Sequence, residues 1–115
     1  MITKAVVMSE PGSLSIQPVD LKSPSKEDVV IEINYSGIST GTEKLFYNGK
    51  MPQFPGMGYP LVPGYESTGE VVQAPKDSNL KVGDMVFVPG ADCYSGAVKS
   101  LFGGTARMII SAPNR

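Results

Sequence analysis

Histidine and tryptophan are absent from the 115 residues, and Cys93 is the only cysteine. Without histidine the chain cannot by itself build a Ser-His-Asp triad or an imidazole-ligated metal centre, and it lacks the common proton shuttle of neutral pH. A single thiol excludes an internal disulfide and any multi-cysteine zinc site. No apolar run approaches the roughly 18 residues that span a bilayer, and the start, MITKAVVMSEPG, has no basic segment followed by an apolar stretch. A cytoplasmic protein with no integral membrane segment is therefore expected. Ten basic and eleven acidic side chains leave a net charge of -1, so the electrostatic footprint of a nucleic-acid binder is missing.

Backbone punctuation, by contrast, is plentiful. Gly (13) and Pro (10) fill 23 of 115 positions, or 20%, against roughly 12% in average usage. The excess points to short strands and many turns within one domain, since the length falls in the range of about 100 to 200 residues for a single core. Thr3 to Met8, a turn at Glu10-Pro11-Gly12 and Leu14 to Gln17 read as a hairpin. Val29 to Tyr35 alternates, with Val29, Ile31, Ile33 and Tyr35 expected on one face and Glu32 and Asn34 on the other. Thr42 to Tyr47 can form one or two helical turns with Thr42 as N-cap, stopped by Asn48-Gly49. Residues 50 to 64 hold four prolines and three glycines, which predicts an ordered loop. Tyr65 to Gln73 and Met85 to Val88, joined through Gly83-Asp84, predict a second hairpin, and Ala106 to Ser111 a last strand. Strands of this length and number suggest a mainly β fold, a closed or partly open barrel with short helices that hides its sheet edges.

Gly37-Ile38-Ser39-Thr40-Gly41 matches G-x-S-x-G between a strand and a helix. A serine nucleophile needs an adjacent base, and no histidine is present to serve it, so the hydrolase reading fails. The same stretch lacks the register of a phosphate loop, and Gly56-Met57-Gly58 lacks the third glycine of a dinucleotide fingerprint and runs into Pro60. No residue of this chain is therefore assigned to cofactor binding.

Ser36-Gly37-Ile38-Ser39-Thr40-Gly41-Thr42-Glu43, then Pro60 through Val72 (PLVPGYESTGEVV), then Val82-Gly83-Asp84-Met85-Val86 resemble, in order and spacing, the GroES-like barrel of the medium-chain dehydrogenases across nearly the whole chain. The resemblance puts Ser39 where that family has a zinc cysteine and Tyr65 where it has a zinc histidine, with only Glu66 retained. More narrowly, GISTGTEKLFYNGKMPQFPGMGYPLVPGYES and VPGADCYSGAVKSLFGG are similar to the 3-hydroxyethyl bacteriochlorophyllide a dehydrogenases of bacteriochlorophyll biosynthesis. The resemblance implies NAD-dependent oxidation of a 1-hydroxyethyl group on a chlorophyllide or bacteriochlorophyllide to acetyl. It also implies that residues 1-115 are the substrate-binding half, with NAD held by a Rossmann domain that this chain lacks, so that the barrel alone is expected to be inactive.

No metal ligand set is expected, because serine, tyrosine and one carboxylate are poor donors for tetrahedral zinc. Ser39, Glu43, Tyr65 and Glu66 are then the candidates for orienting and deprotonating the alcohol, a partly buried carboxylate of raised pKa being the natural acceptor. The opposing expectation is that Tyr65 packs in the barrel and Glu66 pairs structurally. Met51, Phe54, Met57 and Tyr59 in the Pro/Gly loop, with Phe102 beside Gly103-Gly104 as a second wall, offer thioether and aromatic faces to a flat macrocycle; alternatively they staple the loop to the barrel. Lys44 and Lys50 are candidates for a propionate carboxylate, or simply solvated cations. Two rival functions share the same barrel: a free-standing tetrapyrrole-binding or interaction module, and the substrate domain of another zinc-free quinone or enone reductase.

Overall fold

The computed structural model describes residues 2–91, 93–96, 98–99 and 102–111. Strands β1 (Ile2–Glu10) and β2 (Ser13–Asp20) form an antiparallel hairpin, with Gly12 in the left-handed region at the turn. A second sheet has the order β5-β4-β3-β6, where β3 is Val29–Ser36, β4 Ser67–Gln73, β5 Met85–Val88 and β6 Met108–Ser111. All its neighbours run antiparallel. The two sheets are laced together where β1 passes the approach to β6: Val6 N–H donates to Thr105 C=O at 2.9 Å and Arg107 N–H to Lys4 C=O at 2.8 Å. The result is a barrel that curls without closing, as the short strands and frequent turns lead one to expect.

The core lies between these sheets. Val7, Val29, Val62, Val71 and Ile109 are each at most 1% exposed and form one cluster with Cys93 and Ile31. The alternation expected of β3 holds only in part. Val29, Val30 and Ile31 are all buried, because this end of the strand is covered on both faces, while Tyr35 is 78% exposed. An irregularity in pairing between Ile33 and Tyr35 shifts the register by one residue, and such a shift turns the following side chain to the opposite face. The Gly-Asp reversal forms as expected, with Asp84 Oδ2 accepting from Lys81 N–H at 2.9 Å to close the turn into β5.

Helix α1 (Thr40–Asn48) starts two residues earlier than its sequence suggests, and Ser39, not Thr42, is the N-cap. Gly49, in the left-handed region, ends it by turning its N–H back to the last carbonyls. Phe46 is the helix's buried anchor. It meets Met8 and Leu61 in a second, smaller cluster, and burying one such side chain stabilises by about 1.5 to 3 kcal/mol. Among the described residues no helix is long and apolar enough to cross a membrane.

Candidate functional site

The cluster expected from the sequence is assembled by a continuation of the β3–β4 ladder. Beyond the last pair, Ser36 with Ser67, Gly37 N–H donates to Glu66 C=O at 2.6 Å. The two chains come so close here that a Cβ on Gly37 would lie 2.8 Å from Glu66 Oε2 and 3.2 Å from its Cβ. Holding Gly37 against Glu66 brings Ser39, two residues on, and Tyr65, one residue back, within reach. The Tyr65 hydroxyl donates to Ser39 Oγ at 2.5 Å, and Thr42 Oγ1 stands 3.4 Å from the same phenol.

Because its hydroxyl is drawn to Tyr65, Ser39 makes no side-chain cap on the helix it precedes. Glu43 reaches back from the first turn instead, its Oε2 accepting from Ser39 N–H. The Glu43 carboxyl is pushed above its ordinary value, first by burial and also by the charge of Glu66, with the Ser39 N–H pulling the other way. A half-buried carboxylate raised in this manner is a better proton acceptor near neutral pH than an exposed one. Glu66 itself is exposed. Ser39, Glu43, Tyr65 and Glu66 thus share one site. Among the described residues no three of His, Cys, Asp and Glu converge as metal ligands, and the two hydroxyls at the resemblance's ligand positions are hydrogen-bonded to each other. This donor set does not suit zinc.

The loop residues are also brought together, in a packing arrangement. Met51, Phe54, Met57, Tyr59 and Phe102 are half-buried against Phe46, Met8 and Leu61. The Tyr59 hydroxyl donates to the Phe46 carbonyl, fastening the loop to a carbonyl near the helix C-terminus. Phe46 lies 6.4 Å from Phe54 and 6.5 Å from Phe102, ring centre to ring centre, and Phe102 lies 4.9 Å from Tyr65 at 56°. These tilted contacts link the loop to the catalytic candidates and seat the Tyr65 ring.

A feature that sequence reasoning did not find lies on the other flank of α1. Val6, Met8, Leu14, Ile38, Tyr47 and Pro63 border an open groove of about 480 Å³, in which Glu43 and Lys44 are the charged lining residues among the described residues. Its apolar residues are far apart in sequence, and no local periodicity connects them. The exposure of Ile38 (79%), Leu14 (51%) and Tyr47 (42%) is the signal that only the fold makes legible. A smaller hollow of about 250 Å³, bordered by Lys4 and Arg107, adjoins it across Val6, Ser36 and Thr105.

Residues 25–114 match the alcohol dehydrogenase GroES-like domain family. Over its whole length the chain is 55% identical to a 2-desacetyl-2-hydroxyethyl bacteriochlorophyllide A dehydrogenase of Rhodobacter capsulatus. The protein of the same name in Cereibacter sphaeroides is 51% identical, and the chain spans 37% of the length of each of these relatives. Among solved structures, a cinnamyl alcohol dehydrogenase of Sorghum bicolor superposes with a TM-score of 0.75 at 19% identity, covering 97% of this chain and 39% of that one. The 2R,3R-butanediol dehydrogenase of Bacillus subtilis gives 0.73 at 24% identity, covering 96% and 38%. These two likenesses concern the fold alone.

Proposed function

This chain belongs to the alcohol dehydrogenase GroES-like domain family, and from that premise we propose that it is the substrate-recognition part of an NAD-dependent dehydrogenase oxidising the hydroxyethyl group of a bacteriochlorophyllide to acetyl. The observation that carries the reading is the 55% identity, sustained over every residue of the chain, to a relative named for that substrate. The nicotinamide cofactor would accept the hydride. No dinucleotide fingerprint occurs here, so its binding falls to another part of the full-length enzyme. The reading places that enzyme in the cytoplasm, where the buried Cys93 stays reduced.

What this chain's own residues contribute is proton handling and orientation. A secondary alcohol losing hydride must also lose its hydroxyl proton, and zinc would promote this by polarising the oxygen. Ser39, Tyr65, Glu43 and Glu66 replace that effect with hydroxyl donors and a carboxylate of raised basicity. Met51, Phe54, Met57, Tyr59 and Phe102 pack together against Phe46, and Phe102 among them holds the Tyr65 ring in place. The test is oxidation of the hydroxyethyl pigment by the full-length enzyme with NAD⁺, followed by the spectral shift of the acetyl product, before and after treatment with a strong chelator. Turnover that survives chelation is expected. Activity that disappears and returns with one equivalent of Zn²⁺ would remove the zinc-free mechanism, and no oxidation of the pigment at all would remove the function.

A further inference from the structure

The two flanks of the segment 36–40 differ. Ser36, Ile38 and Thr40 border the groove beside Lys44, whereas Gly37 and Ser39 face Glu66 and Tyr65. On that second flank the hydroxyl pair continues into an aromatic and thioether wall. Phe102 lies 4.9 Å from the Tyr65 ring, Phe46 joins Phe102 to Phe54, and Met51, Met57 and Tyr59 pack against the same cluster. One cation is laid along this wall. Lys99 N–H donates to Pro60 C=O at 2.7 Å, and Lys99 C=O accepts from Val62 N–H at 2.9 Å, which holds its segment against the end of the loop. Its Cγ and Cε each come to 3.7 Å from where a Cβ on Gly58 would stand, so the stem passes over the one position between Met57 and Tyr59 at which the loop has no side chain. Lys99 is exposed, and among the described residues no carboxylate pairs with it. A lysine placed in this way lays its methylenes on an apolar surface and keeps its ammonium in water. Lys50 instead follows Gly49, where a Cβ would meet Pro11 of the hairpin turn, and Lys44 belongs to the groove flank.

Resting on the function proposed above, we infer that Lys99 is the residue that selects the pigment's free acid. The flat ring lies on the wall of Phe102 and the Pro/Gly loop, with its hydroxyethyl group at the Ser39 and Tyr65 hydroxyls and its propionate at the Lys99 ammonium. Both parts of the pigment then find a match. Its apolar face covers the half-buried Met51, Phe54, Met57 and Phe102, and polarisable sulfur and aromatic edges suit a conjugated ring. Its carboxylate stays at the water-facing rim, where the cation is already held above Gly58 by its own stem. Such a contact is made equally in the ground state and the transition state, so it acts on KM and leaves kcat alone.

The test compares the free-acid pigment with its methyl ester in the full-length enzyme. For Lys99→Met, the ratio of kcat/KM for acid over ester is expected to fall about five- to tenfold, the scale of one charge-assisted contact at a solvated rim, with the change carried by KM. Lys99→Glu reverses the charge and lowers the ratio further. Lys81→Met, which removes a cation at the turn into β5, keeps the parent ratio. Each variant is compared with itself on two substrates, so any loss of folded enzyme cancels. A ratio unchanged in both Lys99 variants, or lowered by Lys44→Met or Lys50→Met instead, overturns the assignment of Lys99 while leaving the dehydrogenase reading intact. So does a parent enzyme that oxidises the ester as readily as the acid. A parent enzyme that oxidises neither form overturns both.

Discussion

Tyr65 and Ser39 meet hydroxyl to hydroxyl across 2.5 Å, although 26 positions separate them. The direction of the contact matters. The phenol donates to Ser39 Oγ, and Thr42 Oγ1 stands 3.4 Å from the same phenol oxygen. Tyr65→Phe deletes the donor while leaving the ring against Phe102. On the scale of one partly buried hydrogen bond this lowers kcat about tenfold, read by steady-state kinetics on the full-length enzyme. Unchanged turnover in both Tyr65→Phe and Glu66→Gln takes these two residues out of the mechanism.

The pH dependence follows from Glu43. Burial and the nearby Glu66 hold its carboxyl above the ordinary 4.5, against the opposing pull of the Ser39 N–H. The folded chain therefore binds this proton more tightly than the unfolded one, and the associated stabilisation is complete below the unfolded value and lost as pH rises through the folded one. Glu43→Gln, which imitates the protonated form, should melt above the parent at neutral pH, and the gap should narrow on acidification toward 4.5. Circular dichroism melts across this range check the sign, since a gap that widens on acidification contradicts it. On the proposed role of Glu43, kcat/KM of the full-length enzyme is expected to rise with pH through a midpoint raised from the ordinary 4.5.

How much of this was legible beforehand depends on how local the cause is. The β1–β2 hairpin and the Gly83-Asp84 reversal rest on turn residues adjacent to the strands they join, and both are readable in the sequence. So is β3 as a strand, but not the outward turn of Tyr35, which comes from pairing with β4. Thr42 looks like a cap because it precedes the helical run. Ser39 takes the role because Tyr65 claims its hydroxyl and Glu43 covers its N–H, a three-way contact that no local pattern reveals. The meeting of Ser39, Tyr65 and Glu66 was indicated by resemblance, whereas the groove is created by β1, β2, the end of β3 and α1 packing together.

Gly64 sets the angle at which the chain delivers Tyr65. Its φ is +103°, and a Cβ there would stand 2.1 Å from Thr105 Oγ1 and 2.8 Å from the Thr105 backbone nitrogen. Gly64→Ala therefore combines backbone strain of about 1 to 2 kcal/mol with an overpacking cost of about 1 to 3 kcal/mol. The expected loss in urea unfolding is about 3 kcal/mol. Because Thr105 also bonds Val6 through its carbonyl at 2.9 Å, moving it disturbs the lacing of the two sheets. Thr105→Gly in the Gly64→Ala background relieves the side-chain part of the clash and should restore some stability. No restoration would mean that the backbone conformation alone carries the cost.

Phe46 couples stability to the site. It is 1% exposed, the only buried residue of α1, and its ring contacts Phe54 and Phe102 while its carbonyl receives the Tyr59 hydroxyl. Phe46→Ala should cost about 3 to 5 kcal/mol, the range for emptying an aromatic core position. Phe46→Leu keeps most of the volume and should cost less than half of that. The useful comparison is with Tyr59→Phe, which removes only the bond to the carbonyl and should cost about 1 kcal/mol. If the second cluster merely seals the loop, Phe46→Leu leaves the pH midpoint of the full-length enzyme where it was. If Phe102 holds Tyr65 as its 4.9 Å ring contact implies, Phe46→Leu lowers kcat together with stability, and the loss is absent when Tyr65 has already been replaced by phenylalanine.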